Sequence, residues 1–471
     1  MLIGRKEESS ILLNAINSDE SQFIAVYGRR RVGKTYLIKQ TFNETFAFQH
    51  TGLARGTMRE QLAEFQESLK RYGKKNVNRL LSWQDAFHQL EALLESQSDE
   101  KKIVFIDEMP WLDTPQSKFV SALEHFWNGW ANMRHDIILV ICGSATSWIV
   151  NKIINDYGGL HNRLTVQIHL KPFSLSECEQ YCQFKELQFS RRDIAEAYMI
   201  MGGIPYYWSF LKKEKSLAQN IDVIFFKDMA PLKTEYNALY ASLFRNASSH
   251  LAIVNALSSK VSGLTRIDIL KHTKLSDNTA FSKTLEELEQ SGFIRKYNQY
   301  GKKERGTIYQ LMDNYSLFYN QYIKSNVNND ECFWSNSLQS RLYTTWVGLA
   351  FERLCLQHIA QMKRALGISG VLSNAFSWQT TATEEHDGAQ IDLLIDRADN
   401  VINLCEMKFS GDDFVIDKSC DGSFRRKSSV FKQVTNSKKT IRLTLVTTYG
   451  LRKNQYSGCV TDIIVLDDLF V

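Results

Sequence analysis

The 471-residue chain has only five prolines, and no Gly/Ser-rich linker, low-complexity tract or internal repeat marks where one domain stops and the next begins. Domain boundaries must therefore be read from changes in hydrophobic pattern. Long apolar runs are missing as well. The N-terminus, Met1-Leu2-Ile3-Gly4-Arg5-Lys6-Glu7-Glu8, has no apolar signal core, and the most apolar stretch, residues 137–142, is far too short to cross a bilayer. The expectation is a soluble, cytoplasmic protein with no membrane partner. The eight cysteines contain no Cys-x-x-Cys pair, and Cys178 and Cys182, the closest two, sit at helical spacing without a histidine doublet. That excludes a zinc-finger pattern and reads as reduced thiols. An excess of one charge is absent too: 57 Lys and Arg against 52 Asp and Glu leave +5. This is too weak for a dedicated nucleic-acid coat protein, so any basic patch must be local.

What is present is globular: 44% hydrophobic and 23% charged residues. At ~100 to 200 residues per domain the length suggests about three domains. Across residues 1–171, apolar runs at 23–27, 103–106 and 137–141 alternate with helical stretches at 34–42, 118–130 and 147–154. That rhythm predicts a parallel α/β sheet. Residues 172–243 are mostly helical, interrupted by Gly202-Gly203-Ile204-Pro205, and predict a small helical domain. Residues 244–312 predict helices at 251–257, 266–271 and 278–291, then strands at 293–297 and 307–311 joined by a loop with Lys302, Lys303 and Arg305. Three helices followed by a basic hairpin is the order of a winged helix. Residues 313–471 open with aromatic-rich helices and return to strands at 391–395, 401–407, 442–447 and 463–466, a second α/β domain.

The segment Gly28-Arg29-Arg30-Arg31-Val32-Gly33-Lys34-Thr35 fits G-x-x-x-x-G-K-[ST], follows an apolar strand and leads into a helix beginning at Tyr36. The glycines allow backbone N–H groups to close around phosphate, and Lys34 reaches the β and γ oxygens. Thr35 would ligate magnesium, making ATP with Mg²⁺ the expected cofactor pair. The run at 103–106 ends in Asp107-Glu108, where a phosphate-loop enzyme needs a metal-orienting acid and a general base; Asp107 is assigned to metal and Glu108 to base.

These residues, together with Ile3-Gly4-Arg5, Asp107-Glu108-Met109-Pro110-Trp111, Cys142-Gly143-Ser144 and Gly202-Gly203-Ile204-Pro205, resemble the AAA+ superfamily, in its archaeal-type ATPase branch close to the STAND NTPases. The resemblance implies that Gly4 and Arg5 lie near the base and that residues 172–243 form a lid. It also implies that Ser144 occupies a sensor position and that Arg163 reaches the γ-phosphate of a neighbouring subunit in a homo-oligomer. A helix cap for Ser144 and a surface ion pair for Arg163 are the alternatives.

In the winged helix, Asn278, Thr279, Ser282 and Lys283 begin the recognition helix, and Lys302, Lys303 and Arg305 can neutralise DNA phosphates. Glu286, Glu287 and Glu289 on the same helix would repel DNA, and a packing module is the other reading. In the C-terminal domain, Asp392 interrupts an apolar strand, and Glu406 and Lys408 share one face of the next by the strand period of two. Carboxylates holding Mg²⁺ beside a lysine meet the needs of phosphodiester hydrolysis. The arrangement resembles the PD-(D/E)xK restriction-endonuclease-like fold, which implies a helical acid at Glu352 and a weaker candidate at Gln433. The overall expectation is an ATP-controlled switch acting on a winged helix and a nuclease-like domain. A metal-dependent DNA nuclease and a nucleotide-sensing DNA-binding regulator are the alternatives.

Overall fold

The run Gln-Phe-Ile-Ala-Val-Tyr forms β1 (Gln22–Tyr27), whose four middle residues are buried. In this computed structural model, residues 2–155, 159–160, 162–244, 246–302, 307–326 and 329–471 are described. The chain divides into two compact units, Met1–Pro172 with Leu239–Ala247, and Phe173–Ala238 with Ser248–Val471.

The first unit is built on β1, β2 (Phe48–Thr51), β3 (Lys102–Asp107), β4 (Ile137–Gly143) and β5 (Val166–His169), in the order β2-β3-β4-β1-β5. Every pairing is parallel. A parallel sheet must be covered on both faces, which is why its strands read as continuous apolar runs; β4 is buried at every residue. Strand β2 and helices Met58–Arg71 and Trp83–Glu95 are not among the elements expected from the sequence. Both helices carry capping boxes, Thr57 with Glu60 and Ser82 with Asp85. Their apolar faces contribute Phe65, Trp83 and Phe87 to a core with Phe23, Phe48, Phe119 and Trp127. Strand order positions the site: β4 lies between β1 and β3, and the carboxyl ends of all three open onto one edge.

The second unit begins with helices Leu175–Phe184 and Arg191–Met201. Gly203 then comes so close to Phe173 that an added Cβ would lie 2.0 Å from its carbonyl oxygen. Helices Ala247–Ser258, Arg266–Thr273 and Thr279–Gln290 lead into a small antiparallel sheet of β6 (Leu264–Thr265), β7 (Ile294–Tyr297) and β8 (Ile308–Leu311), ordered β6-β8-β7. After helix Arg341–Gln357 come β9 (Ser373–Thr380), β10 (Ala389–Arg397), β11 (Val401–Lys408), β12 (Thr440–Thr447) and β13 (Asp462–Val465), side by side in chain order. The β9/β10 and β10/β11 pairs are antiparallel; β11/β12 and β12/β13 are parallel. A parallel β11/β12 pair needs a crossover, and helix Lys418–Thr435 supplies it. Strand β9, with its Ser, Asn, Gln and Thr, is likewise absent from the expected elements. Among the described residues no helix is long and apolar enough to cross a membrane.

Candidate functional site

The loop between β1 and helix Lys34–Thr41 turns through left-handed backbone at Arg31 (φ 69°) and Gly33 (φ 92°). Gly28, at φ 146°, sits against the end of β5: a Cβ there would lie 2.2 Å from the Leu170 oxygen. Only glycine permits both this backbone and this approach. Val32 is buried, Arg30 and Arg31 are half-buried, and Arg29 is buried. Tyr36 is exposed on the helix behind the loop.

Lys34 is only 5% exposed. Its ammonium donates to the carbonyls of Gly28 (3.0 Å) and Arg29 (2.8 Å) and to the Ser144 hydroxyl (3.0 Å). Ser144 in turn donates from Oγ to Glu108 Oε1 (2.8 Å), with its amide 3.4 Å from Oε2. The Thr35 hydroxyl donates to Asp107 Oδ2 (2.8 Å), while Asp107 Oδ1 accepts the Glu108 amide (2.9 Å). Glu108 adopts a left-handed conformation, φ 46°. The sequence-derived residues Gly28, Lys34, Thr35, Asp107, Glu108 and Ser144 therefore meet at one sheet edge, although they lie on three strands and their following loops.

Two further contacts set this edge. An added Cβ on Gly143 would come 2.6 Å from Pro110 Cδ, so the Met109-Pro110-Trp111 turn packs directly on the end of β4. Cys142 beneath it is fully buried, and burial followed by the Asp107 charge pushes its thiol well up, so it stays protonated. Thr35 and Asp107 offer hard oxygen donors suited to magnesium. Among the described residues no group of three or more His, Cys, Asp or Glu is placed to hold a metal, so Mg²⁺ here would draw its other ligands from phosphate and water. Arg5, with φ 57° after Gly4 at 62°, donates to the Lys171 carbonyl at 2.6 Å and lies 3.4 Å from Glu8. It ties the first helix to the segment beyond β5, next to the Leu170 that touches Gly28. Arg163 is exposed.

In the second unit, the antiparallel register that pairs Leu393 with Cys405 sets Asp392 beside Glu406. Lys408 lies 4.0 Å from Glu406, and Gln390 donates to Asp392 at 2.7 Å. Glu352, on helix Arg341–Gln357, has its carboxyl pushed up to about 7, first by burial and then by the Asp392 and Glu406 charges against the pull of Lys408. These four residues share one electrostatic site. Gln433 is exposed and donates instead to the Glu385 carbonyl at 3.2 Å. The residue of its helix that reaches the acids is Lys427, 2.5 Å from Glu406. In the sequence Lys427 reads as part of a basic run with Arg425 and Arg426; its helical spacing is the signal that could have singled it out.

Asn278 caps helix Thr279–Gln290 through the Phe281 amide, and Ser282 accepts from Arg266, which also pairs with Asp277. Lys283 lies 3.9 Å from Glu287. The hairpin loop is engaged too. The Tyr300 amide donates to the Ser377 carbonyl of β9 (2.8 Å), and its ring packs on Phe376 and Phe431. Lys303 and Arg305 lie outside the described residues.

Residues 2–211 match a family described as an ATPase domain predominantly from Archaea. Over 407 residues the chain is 24% identical to an uncharacterized protein of Methanocaldococcus jannaschii, the match covering 84% of each. An uncharacterized ATP-binding protein of the same organism is 50% identical over 40 residues, 8% of this chain and 68% of that protein. Among solved structures, a Walker-type ATPase of Pyrococcus abyssi aligns at 20% identity and a TM-score of 0.48, covering 68% of this chain and 96% of that one.

Proposed function

We propose, from the match of residues 2–211 to that predominantly archaeal family of ATPase domains, that the protein binds and hydrolyses ATP at the 28–35 loop and uses the nucleotide as a switch on its second unit. The observation that carries this reading is the chain of bonds from Lys34 through Ser144 to Glu108. It couples the cation that would meet phosphate oxygens to the acid that would take a proton from the attacking water. Lys34 supplies three N–H donors for which phosphate oxygens compete with the loop carbonyls. The backbone amides of 29–35 and the helix N-terminus add positive potential. Thr35 and Asp107 would hold Mg²⁺, which when bound would supply charge neutralisation at the phosphates. Glu108 orients and deprotonates water, and Ser144 keeps its carboxylate in place.

In this reading residues 172–243 are a lid, 244–312 a winged helix and 313–471 a restriction-endonuclease-like domain. Arg163 acts across a homo-oligomer. For the winged helix we favour packing over DNA readout, because its recognition-helix side chains and Tyr300 make the intramolecular contacts described above. The test is ATP hydrolysis by the wild type beside Lys34→Ala and Glu108→Gln, with and without DNA. Lys34→Ala is expected to weaken nucleotide binding, and Glu108→Gln to keep binding but lose turnover by ~10²-fold or more. Absence of affinity for any purine triphosphate, or Lys34→Ala binding unchanged, overturns the reading.

The placing of Asp392 beside Glu406 and Lys408 supports a second reading, a metal-dependent nuclease licensed by ATP, in which the metal would take its further ligands from phosphate and water because no three acids of the described residues are placed to hold it. Cleavage of DNA with Mg²⁺ or Mn²⁺ that Lys408→Ala abolishes is its expected result. No cleavage under any nucleotide condition removes it.

A further inference from the structure

A cavity of about 370 Å³ lies in the second unit, walled by β7 and β8, helix Arg341–Gln357, and β9 with β10. Two arginines line it. Arg353 is 4% exposed, and neither its Nε nor its Nη1 has a hydrogen-bond partner. Arg295, on β7, spends only Nε, donated to Gln310 Oε1 at 2.7 Å, and lies over the Tyr297 ring at 4.6 Å. Gln310 and Tyr297 are themselves fixed, to the carbonyls of Val261 and Ser262, so the Arg295 fork is held in place.

A buried guanidinium with two of its nitrogens unpartnered, as at Arg353, is costly, and the half-buried Arg295 beside the same cavity adds repulsion. The acids around the cavity do not discharge the pair through hydrogen bonds. Asp268 accepts from the Thr265 hydroxyl, and Asp392 accepts from Gln390. What is missing is a compact anion that takes several N–H donors at once.

We propose that this cavity is a phosphate-binding site in which Arg295 and Arg353 grip one phosphate group. Two planar forks match phosphate oxygens in bidentate geometry, and Lys260, which also lines the cavity, adds a third cation against the lining acids Asp268, Glu352 and Asp392. The space exceeds that of inorganic phosphate and falls in the range of ligand pockets, ~300 to 1,000 Å³. The ligand is therefore a phosphomonoester with an organic body, either a free mononucleotide or the phosphorylated end of a nucleic-acid strand. The inference rests on the cavity and not on the ATP loop, and it holds whether or not the nearby carboxylates cut.

The test uses the full-length Lys34→Ala protein, which removes the ATP loop's main phosphate contact, titrated calorimetrically with inorganic phosphate, AMP, acetate, and a thymidine dinucleotide with and without a 5′-phosphate. A phosphorylated probe is expected to bind, and Arg295→Gln and Arg353→Gln each to weaken it at least tenfold. AMP binding as tightly as the phosphorylated dinucleotide identifies a free-nucleotide site; preference for the dinucleotide identifies a strand end. Arg295 lies on the small sheet, so Arg295→Gln keeps the test open if the buried Arg353 variant fails to fold. No binding of any phosphorylated probe, equal binding of acetate or of the unphosphorylated dinucleotide, or an unchanged affinity in Arg295→Gln overturns the proposal.

Discussion

Ser144→Ala isolates the bridge in the proposed ATP site. The hydroxyl is buried; it accepts from Lys34 at 3.0 Å and donates to Glu108 at 2.8 Å. Removing it leaves Lys34 two carbonyl acceptors and leaves Glu108 only the Ser144 amide at 3.4 Å. Hydrogen bonds to charged groups contribute about 1.5 to 3 kcal/mol each. If ~2 kcal/mol of the Glu108 bond is felt in the transition state, kcat falls about 30-fold. ATP affinity should change little, because the loop amides and Lys34 remain. The folded state, losing both bonds but retaining the other partners, should be destabilised by roughly 3 kcal/mol. Single-turnover hydrolysis read beside equilibrium binding of a fluorescent ATP analogue separates the effects, and Ser144→Thr, which keeps a hydroxyl, should recover most of the rate. A helix-capping role would lower stability and leave kcat alone. Wild-type kcat in Ser144→Ala would refute the coupling of Lys34 to Glu108.

Gly28→Ala and Gly33→Ala should separate steric from conformational demands. The first meets the Leu170 carbonyl at 2.2 Å and should abolish ATP binding, while the second meets nothing within 4 Å and should cost only ~1 to 2 kcal/mol of left-handed strain, as read by binding and thermal melts. Glu352→Gln should stabilise the protein above neutral pH. The folded carboxyl, near 7 against an ordinary 4.5, binds its proton more tightly than the unfolded one. Stability is therefore lost as pH rises from 4.5 through 7, and urea melts should show the variant gaining roughly 3 kcal/mol at pH 8 and nothing below pH 4. Tyr300→Ala removes the ring between Phe376 and Phe431 and should lower stability by about 2 to 4 kcal/mol, with faster amide exchange at Tyr300; unchanged exchange would mean the loop is not anchored there.

The strands that sequence patterning misses share a physical reason. β2, β9 and the two-residue β6 are all edge strands, each with a strand neighbour on one side only, and the sequences of β2 and β9, Phe-Gln-His-Thr and Ser-Asn-Ala-Phe-Ser-Trp-Gln-Thr, mix polar with apolar residues. The buried strands β1, β3 and β4 announce themselves because both faces must be apolar. Gln433 is a plausible candidate from sequence because a helix after β11 brings some residue to the acids; which one depends on the helix rotation against the sheet, and packing turns Lys427 toward Glu406.

The amino-acid order alone determined the phosphate loop, the acidic pair ending β3 and the same-face spacing of Glu406 and Lys408, since each is a local consequence of backbone period and residue chemistry. Only the tertiary structure decided that β4 enters between β1 and β3, which hands Ser144 to both Lys34 and Glu108. It likewise decided that Arg295 and Arg353 share one cavity and that Tyr300 anchors its loop to β9. Such partnerships join residues tens to more than a hundred positions apart and are set by strand order and by which surfaces bury together, quantities that no short window of sequence contains.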